Sequence, residues 1–149
     1  MYEFKEENSF EVAQEIFPLN VAHYNEVEDK SDAIPFNPNW DTIRALFDND
    51  LVSLVVARKD GKIIGYFASL IAEDFFTSRV EAKELGIYID PAYRGGRVFL
   101  KLLIHAEVAL RKRKVSTWYI TFKNGHNTLL PLRVGFVPTE TSFQKILEY

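Results

Sequence analysis

A β-type segment, residues 80–89, is followed by a glycine turn and then by a long apolar helix, and this junction constrains the fold most. The turn contains Gly95 and Gly96, and residues 98–113 are apolar over most of a helical circumference. A β-branched and aromatic segment, residues 115–122, follows the helix. A strand, a helix and a strand in this order favour a parallel strand pair joined by a right-handed crossover.

The turn is also a place where an anion can bind. Residues 90–97 read DPAYRGGR and lead directly into the helix at Val98. Successive backbone N–H groups of a glycine-rich turn, joined to the positive end of a helix dipole, form an anion site without help from a side chain. The sequence therefore predicts a phosphate-binding turn.

An antiparallel hairpin is predicted before this unit. Residues 51–58 and 63–72 are rich in β-forming side chains, and the KDGK sequence at 59–62 is typical of a tight hairpin turn. Gly65 lies inside the second strand, where glycine indicates a bulge or a close backbone approach. On the following strand, alternation predicts two opposite faces, one with Leu85, Ile87 and Ile89 and the other with Glu84, Gly86 and Tyr88.

Two helices are expected before the hairpin. Asn8 is followed three positions later by Glu11, which resembles a capping box, and apolar side chains then recur at helical spacing. Pro18 is expected to bend or restart this first helix. Asn39 is suited to cap a second, short helix that ends near Asp50.

The C-terminal part of the chain is predicted to complete the fold. An Asn-Gly pair at 124–125 breaks the chain, and residues 126–134 indicate a short helix interrupted by Pro131. Residues 136–147 are expected to add a final strand or two. Because the sequence contains neither repeats nor a linker, we expect a single domain over residues 1–149.

The composition excludes several functional classes. The chain has no cysteine and three scattered histidines, so we expect neither a disulfide framework nor a metal site. No apolar run is long enough to span a bilayer, and residues 1–7 lack the order of a secretory signal. These features predict a cytoplasmic protein without a membrane partner.

The charges are divided unequally along the chain. Residues 1–50 carry twelve acidic and three basic side chains, a net −9, whereas residues 51–149 carry nine and fifteen, a net +6. This division allows an acidic surface for a cationic substrate beside a basic surface for an anionic cofactor, although ordinary solvated faces give the same pattern. The one dense basic run, residues 111–114, ends a helix, where cations also settle near the dipole. A nucleic-acid partner is therefore not expected.

Three segments and the order of the elements together resemble a known family. The segments are DGKIIGY at 60–66, DPAYRGG at 90–96, and Asn124 placed eleven positions before Gly135. Over nearly its whole length the chain resembles the GNAT family, the Gcn5-related N-acetyltransferases. The resemblance implies an α/β (α+β) fold with a mixed, mostly antiparallel central sheet, a parallel splayed pair and flanking helices.

The resemblance implies that acetyl-CoA binds at the glycine turn and that no metal is needed. The pyrophosphate-cradling motif of the family falls here on six consecutive residues, Arg94, Gly95, Gly96, Arg97, Val98 and Phe99. Arg97 and Phe99 stand where the family has small residues. Arg97 can pair with a phosphate, whereas Phe99 must turn into the core or obstruct the site.

The pantetheine arm of the cofactor is implied to lie between the two strands that flank the helix. Residues 86–89 and 118–121 occupy these positions. The implied contacts come from Ile87, Tyr88, Ile89, Asn124 and Asn127. The two asparagines are equally suited to a turn and to a helix start, which is their simpler interpretation.

The same resemblance implies a general base on the strand before the turn. Glu84 is the first candidate and Glu81 the reserve, because the family often places a glutamate on this strand. A strand carboxylate paired with a cation is an equal alternative for Glu84. His23 is a further candidate base if the first helical segment lines the acceptor cleft, although a lone histidine on a helix is more often structural. A backbone N–H near Ile87 or Tyr88 is expected to stabilise the oxyanion.

The general acid of the family is missing at its usual position. The family commonly has a tyrosine four residues before the Gly-Phe pair, and Pro131 stands there in this chain. The thiolate must then leave unprotonated, which its moderate pKa permits, or take a proton from Tyr88 or His126.

The implied function is transfer of an acetyl group from acetyl-CoA to a small amine or a protein amino group by direct attack in a ternary complex. The alternative is a catalytically weak or inactive binding protein that acts through protein–protein contacts, an interpretation favoured by Phe99 and Pro131. Residues 23–26 and 38–40 resemble segments of small phage-encoded members, for which the partner would be a host or virion protein. Homodimerisation is common in this fold, and nothing in the sequence fixes it.

Overall fold

The computed structural model describes residues 1–27, 34–122 and 129–147. A single turn of 3-10 helix, Pro91–Tyr93, precedes the longest helix. In chain order the other elements are β1 Tyr2–Glu6, α1 Phe10–Glu15, α2 Phe17–Val27, α3 Trp40–Asp48, β2 Val52–Lys59, β3 Lys62–Glu73, β4 Val80–Ile89, α4 Val98–Lys112, β5 Thr117–Tyr119 and α5 Leu129–Arg133.

The strands form one mixed sheet in the order β1-β2-β3-β4-β5. The pairs β1–β2, β2–β3 and β3–β4 are antiparallel, and β4 and β5 are parallel through the α4 crossover. The predicted hairpin turn is confirmed by Asp60 and Gly61, whose φ angles of 50° and 85° are the left-handed values that a tight two-residue hairpin needs. The mixed, mostly antiparallel sheet with one parallel pair and flanking helices is confirmed as well.

Both faces of the sheet are covered, so apolar side chains are buried on each face. Helix α4 covers one face, whose buried side chains include Val55, Ala57, Ile64, Phe67 and Leu102. Helices α1, α2 and α3 cover the other face, which includes Ile16, Leu54, Val56, Tyr66 and Tyr88. Because β2 is buried on both faces, it has an almost continuous apolar sequence rather than an alternating one.

The N-terminal residues differ from the prediction in two ways. They begin with a strand, β1, in which Tyr2 and Phe4 alternate with polar residues over only five positions and which pairs with β2. The helix cap is Ser9, whose Oγ accepts a hydrogen bond from the Val12 N–H at 3.2 Å. The Oδ1 of Asn8 accepts instead from the Leu54 N–H at 2.7 Å and ties this part of the chain to β2.

The predicted face of Leu85 is wrong because β4 contains a bulge. Gly86 pairs with Ala68 and Glu84 pairs with Ser69, so one residue of β4 has no partner on β3. That residue is Leu85, and 54% of its surface is exposed. A bulge reverses the alternation on one side of the extra residue, which the sequence pattern of a single strand cannot indicate.

The C-terminal prediction is also wrong. Residues 136–147 contain no strand. Val137, Phe143 and Leu147 are 73%, 93% and 86% exposed, so their side chains gain no burial that would hold a strand in place. Pro131 does not interrupt α5, because it lies in the first turn of this helix, where a backbone N–H has no intrahelical partner.

Candidate functional site

The central feature of the site is an open backbone edge on β4. Parallel pairing with β5 covers Glu81, Ala82 and Lys83 only. Within the described chain, the rest of β4, Glu84 to Ile89, has no strand on that side. An open strand edge offers N–H and C=O groups to an extended ligand that carries amides of its own.

A cavity of about 910 Å³ runs along this edge. Its lining includes Gly95 and Gly96 of the turn, Glu84 and Tyr88 of β4, and Trp40 of α3. A cavity of this volume lies in the range of small-molecule and cofactor sites. The glycine turn, the open strand edge and the side chains of α2 and α3 therefore face a common space.

The glycine turn begins with a local cap and ends at the start of α4. Asp90 Oδ1 accepts a hydrogen bond from the Ala92 N–H at 2.9 Å, which fixes the first part of the turn. Gly95 has φ +93°, and the positions of a Cβ on Gly95 or on Gly96 are both open space. Arg97 occupies the N-cap of α4 without a capping side-chain hydrogen bond. The first N–H groups of this 15-residue helix therefore have no capping side chain, as an anion site requires.

The three residues after the glycines point to different surroundings. Val98 is buried in the core under α4. Phe99 is partly buried, packs against that core and also borders the cavity. Arg97 is exposed and lines a smaller cavity of about 330 Å³ beside Lys101. Because Phe99 packs against the core, its ring leaves the glycine turn accessible from the cavity.

Arg94 is held by Glu26, which is not among the predicted site residues. Its guanidinium donates to both carboxylate oxygens of Glu26, with N–O distances of 2.7 and 2.8 Å. Its Nε donates to the Ile89 carbonyl at 2.8 Å, and the guanidinium lies 5.0 Å from the Tyr88 ring centroid. The Arg94 hydrogen bonds, with a smaller contribution from the Tyr88 hydroxyl, lower the pKa of Glu26 to about 2. Since the pair joins residues 68 positions apart, no local sequence signal identifies it.

Glu84 lies on β4 where the bulge begins, and it lines the cavity. Burial raises the pKa of Glu84 to about 7, because the ionised carboxylate loses hydration there. A carboxyl group with this pKa can accept a proton near neutral pH. The alternative of a strand carboxylate neutralised by a cation finds no support in the described contacts, since no ion pair of Glu84 occurs among them.

His23 lies on α2 above the same part of β4. Its Nδ1 and the Tyr66 hydroxyl are 2.8 Å apart, and its ring stacks on Tyr88 with centroids 5.0 Å apart. A Cβ on Gly86 would lie 3.5 Å from His23 Cε1, an ordinary van der Waals distance, so the ring lies directly over this residue. Burial raises the pKa of Tyr66 to about 12 and also raises the pKa of Tyr88, so both hydroxyls stay protonated at neutral pH.

The structure therefore brings together many of the predicted residues. Glu84, Tyr88 and His23 border the cavity with Ile87, Ile89, Arg94, Gly95, Gly96, Val98 and Phe99. Glu81 lies between Ala72 and Thr117 in the sheet and does not border the cavity. Pro131 is buried in α5. Three predicted residues, Asn124, His126 and Asn127, lie outside the described residues.

Two further properties concern the described ranges 1–27, 34–122 and 129–147. They contain no group of three or more His, Cys, Asp or Glu side chains placed to hold a metal ion. No helix in them combines the length and the apolar character needed to cross a membrane.

Several solved structures share this fold. A GCN5-related N-acetyltransferase from Ralstonia eutropha has a TM-score of 0.82 at 16% identity, with 99% of this chain and 100% of that chain covered. An aminoglycoside acetyltransferase from an uncultured soil sample has a TM-score of 0.77 at 16% identity, with 99% of both chains covered. A predicted acetyltransferase from Clostridium acetobutylicum, solved with acetyl-CoA, has a TM-score of 0.71 at 14% identity, with 99% and 97% covered.

The sequence itself matches a family model. No curated protein matches the chain. The model of the acetyltransferase (GNAT) family matches residues 13–136, which include the glycine turn, the open edge of β4 and Glu84. The predicted family is thus confirmed over most of the sequence: the chain belongs to the acetyltransferase (GNAT) family.

Proposed function

We propose that the protein is an N-acetyltransferase that moves an acetyl group from acetyl-CoA to a primary amine within a ternary complex. The observation that carries the proposal is one cavity that joins the open edge of β4, the glycine turn and a buried carboxyl group, Glu84. An anion site, a strand edge and a base are the three parts that acetyl transfer from this cofactor needs.

Acetyl-CoA is suited to the residues present. Its pyrophosphate would be held by the backbone N–H groups of Gly95 and Gly96 and by the N-terminus of α4. Its pantetheine amides would pair with the open edge at Ile87, Tyr88 and Ile89, with Asn124 and Asn127 as further contacts. When bound, the cofactor supplies an acetyl group activated as a thioester.

Glu84 acts as the general base in this proposal. A primary ammonium must lose one proton before its nitrogen can attack, and the Glu84 carboxylate accepts that proton directly or through a water molecule. As the N–C bond forms and the C–S bond breaks, the nitrogen loses a second proton, which the departing thiolate takes up. The net products are an amide, a thiol and one proton that Glu84 returns to solvent.

Tyr88 and the backbone around it supply a proton donor and an oxyanion contact. The protonated Tyr88 hydroxyl can donate its proton to the thiolate and take up the second proton of the nitrogen in return, in place of the tyrosine that Pro131 replaces. A backbone N–H near Ile87 or Tyr88 stabilises the developing oxyanion. His23, which contacts Tyr66 and Tyr88, orients these two rings and is the alternative base.

The acceptor is a small amine or a protein amino group. One of the structural neighbours is described as an aminoglycoside acetyltransferase, which is consistent with a small amine. The comparisons do not support the alternative of a non-catalytic binding protein.

The proposal is tested with acetyl-CoA and a panel of primary amines. We expect acetyl-CoA to bind in calorimetry and thiol release to require an amine. Glu84→Gln should lower kcat about a hundredfold or more while leaving the Kd for acetyl-CoA within about twofold. Glu81→Gln is the matched change on the same strand and should retain activity. Absence of acetyl-CoA binding, or equal activity of both variants, would contradict the proposal.

A further inference from the structure

We propose that the acceptor is an arylalkylamine, a primary amine with an aromatic group on a short chain, and this inference rests on the acetyl transfer proposed above. Part of the cavity wall consists of aromatic side chains from α2, α3 and residues 34–39. We call this part the aromatic end and define it by the lining residues Tyr24, Phe36, Trp40 and Phe47.

The aromatic end is organised by contacts among rings from three segments. Tyr24 and Phe36 have ring centroids 5.1 Å apart, and Phe36 stacks on Phe17 at 5.8 Å. Phe17 contacts Trp40 at 5.2 Å. The Tyr24 hydroxyl donates to the Ile34 carbonyl, which fixes the segment that carries Phe36. Ring pairs at these distances form a surface on which another aromatic ring can pack.

Four of the acidic residues in the first 50 positions pair with arginines that do not line the cavity. Glu7 and Glu15 both pair with Arg58 of β2. Glu6 and Asp50 pair with Arg113 in the same manner. Four described carboxylates of the acidic half therefore neutralise arginines of the basic half.

The cavity itself offers few carboxyl groups. Those among its described lining residues are Glu26 and Glu84, and Glu26 is bound by Arg94. One ammonium can be received at Glu84. The described residues of the aromatic end include no carboxylate to receive a second ammonium, which loses hydration there at a cost, whereas an aromatic ring gains free energy by leaving water. The cavity thus matches one amine and one ring.

This class differs from the aminoglycoside described for one structural neighbour. An aminoglycoside carries several ammonium groups on polar rings and would face Phe36 and Trp40 with charge. The proposed acceptor class therefore distinguishes this chain from a neighbour of the same fold.

The test compares aromatic amines with polycationic amines by thiol release from acetyl-CoA. 2-Phenylethylamine and tryptamine should have kcat/KM values at least about tenfold above those of 1,4-diaminobutane and kanamycin, a difference typical of an apolar pocket that discriminates by buried surface. Trp40→Ala should raise the KM for 2-phenylethylamine about tenfold with the Kd for acetyl-CoA unchanged. Phe36 lies outside helices and strands, so Phe36→Ala serves as a second variant if Trp40→Ala does not fold.

Phe75→Ala is the matched control, since Phe75 is 91% exposed on the β3–β4 loop and is not among the residues that line the cavity. Its KM for 2-phenylethylamine should equal that of the parent chain. Preference for the diamine or for kanamycin would overturn the inference while acetyl transfer stands. An unchanged KM in both Trp40→Ala and Phe36→Ala would overturn it as well. Failure to bind acetyl-CoA in calorimetry would remove the proposed function and this inference together.

Discussion

Arg94 has two anchors of different kinds in this structure. Its Nε donates to the Ile89 carbonyl at 2.8 Å, a contact that fixes the side chain against β4. Its two terminal nitrogens donate to Glu26, and these are the groups that would otherwise face a phosphate. In the proposed complex, Glu26 would therefore compete with the cofactor's phosphates for the same N–H groups.

Removing the charge of Glu26 should strengthen cofactor binding. An exposed ion pair contributes about 0.2–1 kcal/mol, which corresponds to a change in Kd of at most about fivefold. We expect Glu26→Gln to lower the Kd for acetyl-CoA two- to fivefold, by roughly the free energy of that pair. Titration calorimetry measures this effect.

Glu107→Gln serves as the control, because it removes the Arg111–Glu107 pair on the exposed side of α4. Its Kd for acetyl-CoA should not change. Weaker binding in Glu26→Gln would mean that the pair organises the turn rather than competing with the anion.

At the scale of elements, the turn before α4 depends on one left-handed residue. Gly95 has φ +93°, whereas Gly96 lacks a positive φ, and both have open space at the Cβ position. The two neighbouring glycines therefore differ in backbone conformation and not in crowding.

Gly95→Ala and Gly96→Ala should consequently have different effects. A Cβ on a left-handed residue costs about 1–2 kcal/mol, so Gly95→Ala should lower stability by about that amount or reshape the turn. We expect acetyl-CoA binding to weaken about tenfold or more in Gly95→Ala and to change less than about threefold in Gly96→Ala. Thermal unfolding and calorimetry measure the two effects, and equal losses in both variants would contradict a specific role for the left-handed turn.

Elements with local signals are predictable from the sequence. The β2–β3 hairpin follows from its Asp60-Gly61 turn, and α4 follows from its periodicity and the glycines before it. The bulge at Leu85 depends on the register of β4 against β3, which the sequence of β4 alone does not contain. Strand β1 likewise forms through its neighbour, since its own side chains are mostly polar.

On the scale of the whole molecule, the two oppositely charged halves of the chain are joined by arginines. Arg58, Arg94 and Arg113 belong to the basic half, and each pairs with carboxylates from residues 1–50. Arg113 reaches farthest, since its guanidinium contacts Glu6, Asp50 and the Val52 carbonyl while only 16% of its side chain is exposed. The charge asymmetry therefore contributes to tertiary contacts.

Arg113→Gln should reduce the free energy of unfolding by about 1–3 kcal/mol, because it removes charged hydrogen bonds and leaves partly buried acceptors unpaired. Arg111→Gln is the matched control on the same helix end. Its side chain is 76% exposed and makes one pair with Glu107, which is worth about 0.5 kcal/mol or less. Urea denaturation measures both variants, and equal losses would refute the role of Arg113 as a link between the halves.

The way the site is assembled from the chain explains which parts of it the sequence could predict. The turn residues and Glu84 lie on one strand and one turn, so their spacing places them together. Glu26, Tyr66 and the aromatic end reach the cavity from distant segments, and only the packing of α2 and α3 on the sheet assembles them. Asn124 and Asn127 lie outside the described residues and stay predictions.

The central claim is that Glu84 removes a proton from the amine during acetyl transfer. Burial raises the pKa of Glu84 to about 7, so the carboxylate forms as the pH rises through that value. The pH dependence of kcat reports groups in the enzyme–substrate complex, and base catalysis by Glu84 requires kcat to increase up to about pH 7 and then to level off.

The most direct test is therefore the pH profile of kcat, measured by thiol release at saturating acetyl-CoA and amine, for the parent chain and for Glu84→Gln. We expect the rise near pH 7 to disappear in the variant and kcat to fall about a hundredfold. A Glu84→Gln variant that keeps both the parent kcat and the parent pH profile would contradict the account.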